Sequence, residues 1–294
     1  MLGAFSLLEL LVATAVFLGL ALILISIAGS LSSFWQMGIS HNERRASALA
    51  AFSRMARDLR FASAPINPAS TNFQLVINPS NIGAAYKLPQ AAFWQAPVAA
   101  DRSRGDLALV GYFVQWVSNS PTDVGPKLCR LVVDSTNFQL QKPSDWVNDA
   151  LITNHAPATK ASGYDGQLAE NVLGLWLQPL DQAKQPITRD AGATNYSIGE
   201  FDSMRGYQAT LTNAVATNGL TYTFKPALPA SIEAAVVVVD ARTAKRLAGN
   251  EKPGARSSTN MWDDVNAFYN GLPPGIKKGA QIYSAVIELH TAPR

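Results

Sequence analysis

The chain has 294 residues, 24 Lys and Arg against 21 Asp and Glu, a net charge of +3, and only 15% charged residues. An average soluble domain carries roughly 25% charged residues, so composition excludes a charge-rich disordered chain and a polyelectrolyte that tracks nucleic acid. One cysteine, Cys129, and three histidines, His41, His155 and His290, exclude an intrachain disulfide framework and a multi-cysteine zinc or iron–sulfur centre.

The shortage of charge is concentrated near the N-terminus. No Asp, Glu, Lys or Arg occurs from Leu10 to Asn42, and Leu10 to Ala28 is almost wholly apolar. About 20 helical residues cross a hydrocarbon core of about 30 Å, so this run predicts a membrane-spanning helix. A cleaved secretory signal would place basic residues ahead of a shorter apolar run. Here the preceding residues are MetLeuGlyAlaPheSerLeuLeuGlu, with no Lys or Arg and with one acid. A buried core helix would be shorter and less uniformly apolar. An ordinary signal anchor accounts for the apolar run but gives no reason for Glu9. A carboxylate costs on the order of 2.5–3.5 kcal/mol at mid-bilayer, less near an end, so it calls for a partner.

Residues 4–17, AlaPheSerLeuLeuGluLeuLeuValAlaThrAlaValPhe, resemble the N-terminal class III signal of type IV pilins and pseudopilins. The resemblance implies that a prepilin peptidase cuts a short leader ahead of an aromatic residue. It further implies that the new N-terminal amine is methylated and that a glutamate stands fifth in the mature chain. Counting back from Glu9 puts the cut between Ala4 and Phe5, with N-methylation on Phe5 and residues 1–4 as the leader. A cut after Gly3 would make Glu9 sixth and break that register. Two features depart from the family pattern: Ala4 stands where glycine is usual, and the leader carries no Lys or Arg. Arg44 and Arg45 follow the span, and a positive-inside count would place that side in the cytoplasm. The resemblance implies the opposite, a single-pass inner-membrane anchor with a periplasmic C-terminal domain.

The helix is expected to continue past the membrane, over residues 5–62. Leu49, Phe52, Ala56 and Leu59 recur at helical spacing and predict its buried stripe, with Arg54–Asp58 as an i,i+4 ion pair. Pro65 and Pro68 end the segment. Gly29 and Gly38 are points of possible bending, and two helices meeting near Gly38 are the alternative. Residues 63–100 read as loop with one strand at Phe73–Ile77. Further strands are predicted at 106–116, 127–133, 171–179, 231–240 and 281–291, with long polar segments at 140–170 and 180–230. Ser257–Gly271 predicts a short helix, with Asp263 and Asp264 in its first turn and Pro273 beyond it. A helix followed by strands predicts an α+β fold, a long N-terminal helix packed on an antiparallel β domain.

AlaPheSerArgMetAlaArgAspLeuArg (51–60) is similar to the helix end of J-type minor pseudopilins of type II secretion. LysLeuCysArgLeu (127–131), the segment 168–181 with GlyLeuTrpLeu, and LeuProAlaSerIleGluAlaAlaValValValValAsp (228–240) follow in the order of that family. This resemblance implies two antiparallel sheets in a globular domain at 63–294, with 63–105, 181–227 and 249–280 as insertions. Enlarged pseudopilin-like cassette proteins of Verrucomicrobia are similar in that respect. The implied role is a minor pseudopilin, a structural subunit at the tip of a periplasmic pseudopilus, and not an enzyme. Its implied partners are the prepilin peptidase, other minor and major pseudopilins and the inner-membrane assembly platform. In assembly, Glu9 would pair with a neighbouring subunit's N-terminal amine. A minor type IV pilin that presents a binding domain for adhesion or DNA uptake is the alternative.

Signatures of catalysis are missing from the sequence. GxSxG, Walker A, GxGxxG, HExxH and CxxC do not occur. Cys129 lies in a predicted strand and reads as a small packed residue, since no nearby His would lower its pKa. His155 and His290 read as loop and strand-end residues. Trp262–Asp263–Asp264 would contribute to a calcium site only with further oxygen ligands that the sequence does not name, and the helix dipole explains the two acids first. Trp94, Trp116, Trp146, Trp176 and Trp262 read mainly as core residues rather than as a recognition face.

Overall fold

The computed structural model describes residues 7–62, 74–96, 108–120, 123–134, 147–155, 166–188, 196–205, 209–216, 219–224, 227–247 and 249–289. The chain divides into two compact units, residues 1–43 and 44–294. Helix α1 runs Leu7–Leu59. Its residues up to Glu43 belong to the first unit, and from Arg44 onward it is part of the second. Within the first unit, Leu10–Ser32 is long and apolar enough to cross a membrane, and none of its side chains is buried.

The second unit is built on antiparallel strands. Strands β1 (Leu75–Ile77), β2 (Ala91–Ala96), β3 (Ala108–Ser120), β4 (Asp123–Asp134), β5 (Gln167–Glu170) and β7 (Phe201–Asp202) form a six-stranded sheet in the order β5-β4-β3-β2-β1-β7. Strands β6 (Val172–Leu180), β10 (Ser231–Val239) and β11 (Ala280–Glu288) form a three-stranded sheet in the order β11-β10-β6. A separate hairpin pairs β8 (Ala209–Ala216) with β9 (Gly219–Phe224). The fold is α+β, as the order of elements in the sequence predicts.

Alternation along the strands sorts their side chains into two packed faces. On β10, Ile232, Ala234, Val236 and Val238 face the same core as the helix, while Ala235, Val237 and Val239 face the opposite side. On β3, Val110, Tyr112 and Val114 join the helix core, and Leu109 and Phe113 face outward. The central strands β3 and β10 are therefore packed on both faces, which is why β10 reads as a continuous AlaAlaValValValVal run rather than as an apolar–polar alternation.

The central core holds Ala48, Ala51, Phe52, Met55 and Leu59 of α1 against the inner faces of both sheets. The outer face of the larger sheet is covered by Val147 and by Ile152 of α2 (Asp149–His155). The outer face of the smaller sheet is covered by α3 (Ala241–Ala244), α4 (Met261–Gly271) and α5 (Pro274–Lys277). Gly174 is required by that packing. A Cβ there would stand 2.6 Å from the Trp176 ring, which lies across the strand and is itself buried.

Several expectations are corrected. Leu49 is not in the buried stripe: it is 56% exposed, and the stripe instead runs through Ala48, Ala51, Phe52, Met55 and Leu59. Leu49 dominates a hydropathy pattern, but small Ala48 and Ala51 face the sheets and let the helix approach. Residues 63–100 contain a second strand, β2, whose six residues are all buried. The polar segment 180–230 carries the β8–β9 hairpin. The stretch 249–280 contains α4 and α5, whose Met261, Val265 and Ile276 cover the smaller sheet. Phe73, the first two positions of the predicted strand 106–116 and the last two of the predicted strand 281–291 lie outside the described residues.

Candidate functional site

Two regions were singled out by the sequence: the head of α1 and the acidic start of α4. Ala4 and Phe5 lie outside the described residues. Glu9 stands in the first turn of the described helix, directly ahead of the span Leu10–Ser32. After Glu9, the next charged residue along α1 is Glu43. Within the span, Thr14 donates its hydroxyl to the Leu11 carbonyl and Ser30 to the Ser26 carbonyl. Each polar side chain is thereby satisfied within its own helix, which lowers the cost of placing it in lipid. Beyond the span, Phe34 and Trp35 are both exposed.

The C-terminal part of α1 is fixed in the second unit by charge as well as by packing. Asp58 is 3% exposed, and the i,i+4 pair with Arg54 that its spacing predicts is present, but further partners bury it. Its Oδ2 accepts from Arg130 Nε at 2.5 Å and from the Tyr112 hydroxyl at 2.6 Å. Its backbone carbonyl accepts from Trp94 Nε1 at 3.3 Å. Trp94 and Tyr112 stack with ring centroids 5.4 Å apart. Arg54 Nε stands 3.8 Å from the other carboxylate oxygen. Burial, then the Asp58 charge and hydrogen bond, push the Tyr112 hydroxyl far above its ordinary pKa, so it stays protonated as a donor. Three strands thus converge on one helix residue: Trp94 from β2, Tyr112 from β3 and Arg130 from β4.

A second ionic tie lies at Arg44. Its guanidinium donates to Asp240 Oδ2 at 3.1 Å and to the Gly279 carbonyl at 3.0 Å. Asp240 also caps α3, its Oδ1 accepting from the Thr243 N–H at 2.7 Å.

At α4 the carboxylates are engaged by protein donors. Asp264 Oδ1 accepts from the Ser257 N–H and hydroxyl, and Oδ2 accepts from Arg256 Nε at 3.2 Å. Asp263 accepts from the Ser258 hydroxyl and from Asn260 Nδ2, while Asn260 caps the helix. Burial pushes the Asp264 carboxyl up, but the Ser257, Ser258 and Arg256 donors outweigh it and hold it below the ordinary range. Arg256 also donates to the Leu177, Ser258 and Thr259 carbonyls and to Gln178 Oε1, tying the α4 loop to β6. The two acids therefore organise a loop. No group of three or more His, Cys, Asp or Glu side chains suited to a metal occurs among the described residues.

A cavity of about 320 Å3 lies beside this loop, with Gln178, Ile187, Tyr196, Glu200 and Arg256 in its wall. Arg256 faces it with its donors already used on the loop and β6. Cys129 is fully buried, and burial pushes its thiol up to about 12, leaving it unreactive near neutral pH. Trp94 and Trp176 are core residues, Trp262 donates to Glu233 Oε1, and Lys252 lies over the Trp116 ring. Trp146 and His290 lie outside the described residues.

The Asp58 cluster is the feature that sequence reasoning missed. Its only local signal was Asp58 three residues from Met55 and seven from Ala51, on the side of the helix that carries the small buried residues. No family model matches the chain, and no curated protein is similar to it in sequence.

Proposed function

We propose that the chain is a minor pseudopilin of the J type, a structural subunit of a type II secretion pseudopilus placed at or near its tip. On this reading a prepilin peptidase cuts between Ala4 and Phe5, Phe5 is N-methylated, and the anchored protein holds its C-terminal domain in the periplasm. Other pseudopilins and the inner-membrane assembly platform are its partners, and the chain is a substrate of processing enzymes rather than an enzyme.

One observation carries the reading: Glu9 stands at the head of an uncharged apolar helix, and that helix runs on to Leu59. A plain anchor needs no acid there, whereas a helical filament supplies one with a counter-charge, the N-terminal amine of a neighbouring subunit. The exposed Phe34 and Trp35 directly after Leu10–Ser32 support the anchoring, because aromatic side chains favour the membrane–water boundary.

The test is Glu9→Ala expressed with the secretion apparatus. Leader cleavage should persist while incorporation into filaments is lost. Incorporation at the wild-type level would remove the role assigned to Glu9. Incorporation only into a pilus with retraction and uptake components would favour the minor type IV pilin reading.

A further inference from the structure

The smaller sheet has unequal edges. On the β6 side, the chain at Leu88–Gln90 runs alongside: Leu175 N–H donates to the Leu88 carbonyl at 2.9 Å, and Leu177 N–H to Gln90 Oε1 at 2.8 Å. On the β11 side, no strand among the described residues pairs with it.

The backbone phase of β11 follows from two bonds at its ends. Leu289 N–H donates to the Ala230 carbonyl at 3.0 Å, and Asp240 N–H donates to the Gly279 carbonyl at 3.0 Å. The intervening register, Ser231↔Glu288 to Val239↔Ala280, has no shift. Hydrogen-bonded and non-hydrogen-bonded pairs alternate in an antiparallel ladder. Residues 281, 283, 285 and 287 therefore turn their N–H and C=O groups toward β10. Ile282, Ser284 and Val286 turn theirs outward.

That outward row lacks the features by which sheet edges avoid one another. AlaGlnIleTyrSerAlaValIleGlu contains no Pro and no Lys, and its one charge, Glu288, lies at its end. A long, unbulged edge without inward or central charge is a template for pairing with another strand. Ser284 is exposed and Val286 is 52% exposed on the row.

We propose that β11 pairs antiparallel with β11 of a second copy of this chain, across a two-fold axis at Ser284. The sequence is self-complementary in that register. Ser284 faces Ser284, so the strands close at a small residue. Ile282 then faces Val286 of the other copy, a pair of β-branched side chains, and Tyr283 faces Ala285, large against small. Glu288 faces Ala280, which keeps the two like charges apart. The outward groups of Ile282, Ser284 and Val286 are satisfied, and the two smaller sheets become one. This surface lies in the β domain, so the inference does not rest on how the N-terminus is processed.

The test uses the full chain in membranes. Ser284→Cys should give a disulfide-linked dimer under mild oxidation, whereas Gln182→Cys, exposed in the turn after β6, should not. Cys129 is buried in both and adds no background. In Ser284→Cys, a second change, Val286→Pro, removes an outward N–H and leaves the β10 ladder intact. It should abolish the dimer, with the thermal unfolding transition retained. Absence of a dimer from Ser284→Cys, equal cross-linking from Gln182→Cys, persistence after Val286→Pro, or cross-linking only to a different protein would each overturn self-pairing.

Discussion

Arg130 Nε on β4 lies 2.5 Å from Asp58 Oδ2 on α1, and both side chains are almost fully withdrawn from water. The pair is separated by 72 positions in sequence and joins the helix to the centre of the larger sheet. Asp58 is met there by Arg130, by the Tyr112 hydroxyl and by the nearby Arg54. Removing Asp58 takes away the buried carboxylate that Arg130 and Tyr112 both bond.

Asp58→Ala should therefore destabilise the β domain by about 3–5 kcal/mol, the range for breaking a buried ion pair from one side. Chemical denaturation followed by tryptophan fluorescence measures it, since Trp94 contacts the same residue. Asp58→Leu combined with Arg130→Met should cost less than the sum of the two single changes, because no orphaned charge remains.

At the other tie, Asp240→Ala should be more damaging than Arg44→Ala. The first loses the ion pair and the α3 cap, and a cap alone is worth about 1 kcal/mol. The second loses only the Arg44 contacts. Thermal unfolding of the two variants under one condition checks the order.

The Asp264 carboxyl titrates below its unfolded value, so the unfolded chain binds more protons as the pH falls through that window. Asp264 thus contributes stability that is present above the ordinary carboxylate pKa of about 4 and is lost as the pH drops through its lower folded value. Asp202 has the opposite sign: burial raises it despite the Gln74 hydrogen bond, so its contribution weakens as the pH rises through its folded value. Melting temperatures measured from neutral to acid pH should fall less steeply in Asp264→Asn than in the parent.

Leu20 lies near the middle of Leu10–Ser32. An arginine there adds roughly 2.5–3.5 kcal/mol to insertion on the biological scale. The parent chain should remain in the membrane fraction after carbonate extraction, and Leu20→Arg should be partly released.

Legibility in the sequence followed the range of the interactions. The β10 run and the helix of Asp263 and Asp264 are local patterns and were readable, although the helix starts at Met261 with an Asn260 cap rather than at Ser257. The strand β2 was not, because AlaAlaPheTrpGlnAla is buried on both faces and has no alternation to distinguish it from the loop around it. The helix stripe was displaced by Leu49, since side-chain size favours leucine while the close approach to the sheets favours Ala48 and Ala51. Asp58 was readable as an acid beside Arg54, but its real partners come from three strands whose meeting point only the folded chain defines. At the head of α1, the resemblance rests on residues 4–17, of which residues 7–17, Glu9 among them, are described.

The most direct test of the central claim is the intact mass and N-terminal sequence of the membrane-extracted protein, with and without a co-expressed prepilin peptidase. The account predicts a peptidase-dependent product that begins at N-methylated Phe5, with Glu9 fifth. A chain that keeps Met1 in the presence of the peptidase, or one cut beyond Ala28, would contradict it and leave a plain anchor or a secretory signal in its place.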